Sequence, residues 1–318
     1  MEIKAEELNP EKFIKEKVAE IRKTVGDNQA IAALSGGVDS SVTTILAYKA
    51  LGNKLKVIFV NNGIMREKEP QHVVAAFKKL GIEVNVINAQ MEFLVALQGI
   101  TNPERKREAI TQTFYKKVFG RLVKSYGIKF IFHGTILTDV EETVDGIKRQ
   151  HNIFIQLGID PQKEFGYQLL EPLVQLRKDG VRKVAKALGL PKSIWNRMPF
   201  PGPALVTRLV DKVTPERIAL VRKATAIVEE ECKNSGAFQY LAILHKDRVT
   251  GIKNGKRKFG LQIEVRCWDS VDARKATPTR LPWETLERIG QRLVTEIPEV
   301  VSATYGITQK PPTTIEAI

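Results

Sequence analysis

The sequence predicts an α/β fold, a doubly wound parallel sheet followed by a smaller α+β domain. Three observations carry that expectation. Short apolar runs alternate with helix-periodic segments between residues 11 and 188. A glycine-rich turn, S-G-G-V-D-S-S at 35–41, joins the first apolar run to the helix after it. Beyond P-F-P-G-P at 199–203 the order changes to helix, two strands, helix and strand. Alternation of strand and helix argues for a parallel sheet covered by helices. Such sheets bind ligands beyond the carboxyl ends of their strands.

Residues 11–25 have the spacing of an amphipathic helix, ended by Gly26. A strand at 29–34 precedes the turn, and the helix it opens runs over 42–51. A second strand is expected at 56–60, a helix at 70–80 stopped by Gly81, and a third strand at 83–87. A long helix at 103–126 stops at Gly127, and a fourth strand follows at 129–133. Over 134–168 no period is clear, so this segment reads as a functional lid. A helix at 178–188 is closed by Gly189 and Pro191. The second half gives a helix at 215–234, strands at 238–244 and 259–267, a helix at 283–296 and a strand at 300–306. The expected domains are 1–205 and 206–318.

The chain has 318 residues with 43% apolar, enough for two domains with cores. No apolar run is long enough to span a bilayer, and the first residues lack the apolar core of a signal peptide. A cytoplasmic protein with no membrane partner is expected. Cys232 and Cys267 form no C-x-x-C pair, so neither a zinc site nor a redox motif is written here. Net charge is +14, which fits nucleic acid, polyanionic nucleotides, or a surface suited to a salty or hot cytosol. The basic residues are spread along the chain. Their densest cluster, K-N-G-K-R-K at 253–258, holds Asn-Gly and reads as a charged hairpin tip. Nucleic acid is therefore not expected as a partner.

The turn at 35–41 has the chemistry of a phosphate cradle. Gly36 and Gly37 let the backbone approach a ligand closely. The loop feeds a helix N-terminus, whose free N–H groups and dipole favour an anion. Ser35, Ser40 and Ser41 add hydroxyl groups. No lysine stands in the loop, so it is not of the Walker kind. S-G-G-x-D-S instead resembles the loop of the PP-loop ATP pyrophosphatases. Those enzymes grip the β,γ-pyrophosphate as a leaving group while an acceptor attacks the α-phosphate.

Further segments, in order, are similar to one family of that group, the ATP-pyrophosphatase part of GMP synthase. They are F-V-N-N-G-I-M-R at 59–66, P-E-R-K-R at 103–107 and G-T-I-x-x-D at 134–139 with Glu142. I-K-x-x-H-N at 147–152 and E-P-L at 171–173, with Lys178, Asp179 and Arg182, come next. P-F-P-G-P at 199–203 with Arg208, and K-P-P-T-T-I-E at 310–316, complete the set. The chain departs from the pattern at Gly180 and Lys253, at Gln150 where the family has histidine, and at Asn61 and Gly306 where it has aspartate.

The resemblance implies a sheet of the PP-loop (adenine nucleotide alpha hydrolase-like) type and a C-terminal domain that dimerises and binds the acceptor. It implies ATP-dependent amination of xanthosine 5′-monophosphate (XMP) to GMP through an adenyl-XMP intermediate, with AMP and pyrophosphate released. Ser35, Gly36, Gly37, Val38, Asp39, Ser40, Ser41, Val60 and Gly134 would bind ATP. Asp39, Asp139 and Glu142 are hard oxygen ligands for Mg²⁺. Lys148, His151, Lys178, Asp179 and Arg182 would serve catalysis with the two lid acids. Arg107, Arg208, Lys310, Ile315 and Glu316 would meet XMP. Cys232, within E-E-E-C-K-N, is not at a glycine-flanked elbow, so ammonia is expected from a separate glutamine amidotransferase subunit. Two other readings stay open: a relative acting on a different acceptor, such as an RNA base, and a non-catalytic nucleotide-binding partner.

Overall fold

β1, Ala30–Leu34, is the middle strand of a five-stranded parallel sheet. The computed structural model describes residues 2–144, 162–163, 166–198, 200–271 and 273–317, excluding the side chains of 142–144. β2 (Leu55–Asn61) and β4 (Phe130–Phe132) flank β1, with β3 (Asn85–Asn88) beyond β2 and β5 (Gln168–Leu170) beyond β4. The order β3-β2-β1-β4-β5 turns back between β1 and β4, so the loops after those two strands face one crevice. The sequence A-I-A-A-L suits the central position: it is apolar throughout and nearly all buried, as a strand covered on both faces must be.

α1 (Pro10–Val25) begins on a proline, its first turn capped by the Asn9 side chain, which accepts from Lys12 N at 3.0 Å. α2 (Val38–Leu51) follows the glycine-rich turn and packs on α1 and β1. α3 spans Glu69–Lys78. The expected helix at 103–126 comes in three parts: α5 (Pro103–Gln112), a π-helical stretch Thr113–Phe119, and α6 (Gly120–Tyr126). Four elements were not anticipated, namely β5, α4 (Gln90–Leu97), α7 (Leu137–Val144) and α9 (Lys192–Trp195). α7 occupies the start of the expected lid, and 145–161 lie outside the described residues. α8, Lys178–Ala187, falls where it was expected.

The chain forms two compact units. The first comprises Met1–Asn61, Glu69–Ala89 and Thr111–Arg197; the second comprises Asn62–Lys68, Gln90–Ile110 and Met198–Ile318. The division at 205/206 took each domain as one continuous stretch, whereas packing groups 62–68 and 90–110 with the C-terminal residues. In the second unit, β6 (Gln239–Lys253) and β7 (Lys256–Asp269) form a long antiparallel hairpin. Its two-residue turn is Asn254-Gly255, both at positive φ, as a tight hairpin requires. β8 (Thr277–Pro278) pairs antiparallel with β7, and β9 (Val300–Tyr305) pairs parallel with it. Two helices complete this unit, α10 (Pro215–Cys232) and α11 (Trp283–Glu296). Cys232 and Cys267 are buried free thiols. No helix among the described residues is long and apolar enough to cross a membrane.

One buried cation in the second unit has a measurable consequence. Lys106 is 1% exposed, and its Nζ donates to the carbonyls of Leu209 (2.8 Å) and Asp211 (2.5 Å). Burial, with Arg217 nearby, lowers its pKa to about 8. The unfolded chain therefore holds the extra proton between pH 8 and the ordinary lysine value of 10.5, and stability from this group rises with pH across that window. Lys106→Met should abolish that rise relative to the parent protein. It should also cost about 1–3 kcal/mol at pH 7.5 by leaving two buried carbonyls without a donor. Denaturant unfolding of both proteins at pH 7.5 and 10 checks both expectations.

Candidate functional site

The loop after β1 is built around a glycine that nothing can replace. Gly36 has φ of 82°, and a Cβ there would lie 2.7 Å from Glu69 Oε1 and 2.9 Å from Val73 Cγ2. Glu69, 2% exposed, is neutralised by Arg197 at 2.5 Å, and Arg197 also donates to the Gly36 carbonyl at 3.0 Å. An ion pair from two distant segments thus clamps the loop from beneath. The hydroxyls of Ser40 and Ser41 both donate to the Gly37 carbonyl (3.1 and 2.8 Å), and Ser35 Oγ lies 2.9 Å from Ser40 Oγ. Ser41 is fully buried, so its part is to stiffen the loop. Gly37 caps α2 without a side-chain hydrogen bond. The first-turn N–H groups therefore keep their capacity for an anion.

Asp39 sits in that first turn. Its Oδ2 accepts from Lys178 Nζ at 2.5 Å, at the start of α8. Its Oδ1 is buried with no hydrogen-bond partner. A buried carboxylate oxygen without a donor is costly unless a cation or ligand completes it. That orphaned oxygen fits Mg²⁺, which takes one or two carboxylates and fills its shell with substrate phosphates and water. Arg182 lies one turn beyond Lys178, on the same face of α8, with its buried Nε also lacking a partner. Asp179 Oδ1 accepts from Gly180 N at 2.8 Å, inside the first turn of α8.

The loop after β4 closes the other side of the crevice. A Cβ on Gly134 would lie 2.8 Å from Ser40 N, so this backbone rests directly on the first turn of α2. Asp139 Oδ2 accepts from Ile136 N at 3.1 Å and so caps α7. Glu142 belongs to α7, but its side chain is outside the described residues, as are Lys148, Gln150 and His151. No group of three potential metal-ligating side chains stands together among the described residues. Val60 is buried near the end of β2.

Sequence reasoning missed a polar chain beside Gly134. Thr135 Oγ1 donates to Glu171 at 2.5 Å and lies 2.6 Å from His133 Nδ1, while His133 Nε2 lies 3.0 Å from the Tyr115 hydroxyl. With the carboxylate as terminal acceptor, each link has one consistent direction: Tyr115 O–H to Nε2, Nδ1–H to Thr135, Thr135 O–H to Glu171. Burial, with Glu171 adding to it, pushes the Tyr115 phenol up, so it keeps its proton. The π-helical stretch carries Tyr115, and the E-P-L motif was the one signal that pointed to Glu171.

In the second unit the expected acceptor residues hold one another. Arg208 is fully buried and donates through Nε and Nη2 to Glu316 at 3.1 and 3.4 Å. Thr207 and Gln239 donate to the same carboxylate at 3.1 and 2.9 Å, and Phe200 lies 4.9 Å from the guanidinium. The Ile315 side chain is buried against Leu241, Ile243, Trp268 and Ala276, so only its backbone can meet a ligand. Lys310 Nζ donates to Ala273 O at 2.7 Å, and Arg107 is half-buried on α5. Lys253 donates to Val294 and Pro298 carbonyls at 2.9 and 3.1 Å, at the end of α11, rather than facing a base.

Residues 226–317 match the family model described as GMP synthase C terminal domain, and residues 8–116 match the one described as NAD synthase. A protein of Pyrococcus abyssi named as one subunit of GMP synthase (glutamine-hydrolyzing) is 46% identical over 312 residues, covering 97% of this chain and 99% of that protein. The protein of the same name from Methanothermobacter thermautotrophicus is 42% identical over 313 residues, with the same coverage. A longer protein from Pyrobaculum aerophilum, GMP synthase (glutamine-hydrolyzing), is 43% identical over 96% of this chain and 62% of its own length.

The close approach at Gly134 yields a direct expectation. Gly134→Ala should destabilise the protein by about 1–3 kcal/mol, because the methyl group must push the first turn of α2 aside. It should weaken ATP binding by more than that loss of stability explains. Thermal unfolding and ATP titration on the same sample separate the two effects.

Proposed function

The chain belongs to the family of separately encoded GMP synthase (glutamine-hydrolyzing) subunits, and from that premise we propose that it aminates XMP to GMP in the cytoplasm at the cost of ATP. The observation that carries this reading is Asp39, a half-satisfied carboxylate at an uncapped helix N-terminus beside Lys178. It suits a leaving pyrophosphate better than a stable phosphate ligand, because cation, carboxylate and N–H donors converge where negative charge develops. The first unit would be the PP-loop ATP-pyrophosphatase domain and the second the dimerisation and XMP-binding domain.

In this reading the loop backbone from Gly36 to Ser40 holds the β,γ-phosphates in line with the departing bond. Lys178 and Arg182 lower the barrier by meeting the charge that builds on the α-phosphate and pyrophosphate. Mg²⁺, held by Asp39 with Asp139 and Glu142 as further ligands, would neutralise phosphate charge when bound. Lys148, His151 and Asp179 would complete the site, with 134–168 acting as a lid that keeps water from the adenylated intermediate. Arg107 and Lys310 would face the XMP phosphate, and the backbone at Ile315 with Glu316 the base or ribose. Arg208 acts through Glu316, whose carboxylate it fixes.

Ammonia would come from a separate glutaminase subunit. The naming of the relatives as one subunit of a larger enzyme supports this, as does the longer Pyrobaculum aerophilum protein, which carries no such designation. Burial of both thiols also argues against a glutamine-cleaving nucleophile here. A homodimer is proposed through the β6–β7 hairpin, where Phe259 and Ile252 are 63% and 80% exposed.

With ATP, Mg²⁺ and ammonium, XMP should trigger release of AMP and pyrophosphate and formation of GMP, read by chromatography. Glutamine alone should not replace ammonium. Release of ADP and phosphate would sink the assignment, and an acceptor other than XMP would redirect it.

Asp39→Asn should slow adenylation by ~10²–10³, the usual loss for one electrostatic group aimed at transition-state charge. Circular dichroism should stay unchanged. Full activity would reduce Asp39 to a helix-capping role.

Light scattering at tens of micromolar should give twice the mass of one chain, and Phe259→Asp should shift it toward the single chain. A monomeric parent protein would reject the dimer.

A further inference from the structure

We propose that Arg266 is a positioning residue for XMP, holding the C-terminal tail in its ligand-facing conformation. The proposal rests on the reading that the backbone at 315–316 meets XMP. Arg266 Nη1 donates to the carbonyls of Thr314 and Ile315 at 2.9 and 3.3 Å. In a trans peptide the C=O and the following N–H point opposite ways. Fixing those two carbonyls toward Arg266 therefore turns the N–H groups of Ile315 and Glu316 away from it as adjacent donors. Successive N–H groups of this kind make a concavity suited to an anionic or carbonyl oxygen.

Arg266 is itself held. Its Nε and Nη2 donate to Glu264 at 2.5 and 3.4 Å, and His245 Nε2 meets the second carboxylate oxygen at 2.7 Å. Burial raises the Glu264 pKa, but His245 and Arg266 outweigh it and hold it at about 2, so the clamp stays charged at working pH. Position 306 points at the same place. A Cβ on Gly306 would lie 2.8 Å from Glu264 Oε1 and 3.2 Å from Arg266 Cγ. Family sequences carry aspartate there. In this chain the carboxylate comes from the neighbouring strand, and glycine at 306 leaves it the room. Glu264 with Gly306 and an aspartate at 306 are two solutions to one requirement, a counter-ion that aims this arginine at the tail.

The test measures XMP affinity by titration and the KM for ATP on the full-length protein. Arg266→Met should weaken XMP binding by about tenfold and leave the KM for ATP unchanged, and Arg266→Lys should recover part of the loss. Glu264→Leu and Gly306→Asp should each weaken XMP binding, and the double variant should return to within about twofold of the parent. A folded Arg266→Met protein with unchanged XMP affinity would overturn the proposal. So would a double variant no better than the worse single change, which decides the matter even where Arg266→Met fails to fold. Parent protein that binds ATP but not XMP would overturn the functional reading instead. Amide exchange at 314–317 then still separates the two, since faster exchange in Arg266→Lys supports the clamp and unchanged exchange refutes it.

Discussion

The uncapped N-terminus of α2 is the constraint on which the first unit depends. A helix start without a side-chain cap leaves several N–H groups unpaired, which is unfavourable for a buried end. This chain keeps that cost and surrounds it with support. Glu69 and Arg197 fix the loop from below, Gly134 presses against the first turn, and the serine hydroxyls knit the loop to itself. Lys178 holds one oxygen of Asp39 while the other stays unmatched. Such local dissatisfaction, held within an otherwise satisfied shell, is how a site stays ready for polyphosphate and its metal ion.

The first unit's sheet was legible because each parallel strand is an apolar run ended by a polar turn, and its helices end on glycines. The elements that escaped notice are short or lack a period. β5 has three residues and exists only because it pairs with β4, a partner far away in sequence. The break at 199–203 marked where the strand pattern changes, yet packing also draws 62–68 and 90–110 into the second unit. Helix periodicity shows which face is apolar and not which core that face joins.

The loop itself was legible because phosphate chemistry needs consecutive residues, and consecutive residues can be read. The clamp beneath it was not, since Glu69 and Arg197 are 128 positions apart and look like surface charges. The chain from Tyr115 to Glu171 was hidden for the same reason. Arg208 and Glu316 were recognisable as a pair of interest, but their mutual contact was not. Sequence shows that charges are present; only the fold shows whether they face a ligand or each other.

That distinction also accounts for the +14 net charge. Many cations here are not balanced by carboxylates but by main-chain carbonyl oxygens. Lys106 bridges the carbonyls of 209 and 211, Arg222 those of 63 and 65, and Arg217 those of 210 and 245. Lys253 and Lys258 gather at the end of α11, where the helix dipole favours a cation. Each such lysine or arginine adds a formal charge while serving as an internal tie between chain segments. A basic total therefore measures two different things, exposed charge available to a polyanion and buried donors spent on the backbone. In this chain the hairpin lysines show the second use clearly, because the cluster at 253–258 looks most like a nucleic-acid patch in the sequence, yet Lys253 and Lys258 turn back onto carbonyls of their own unit.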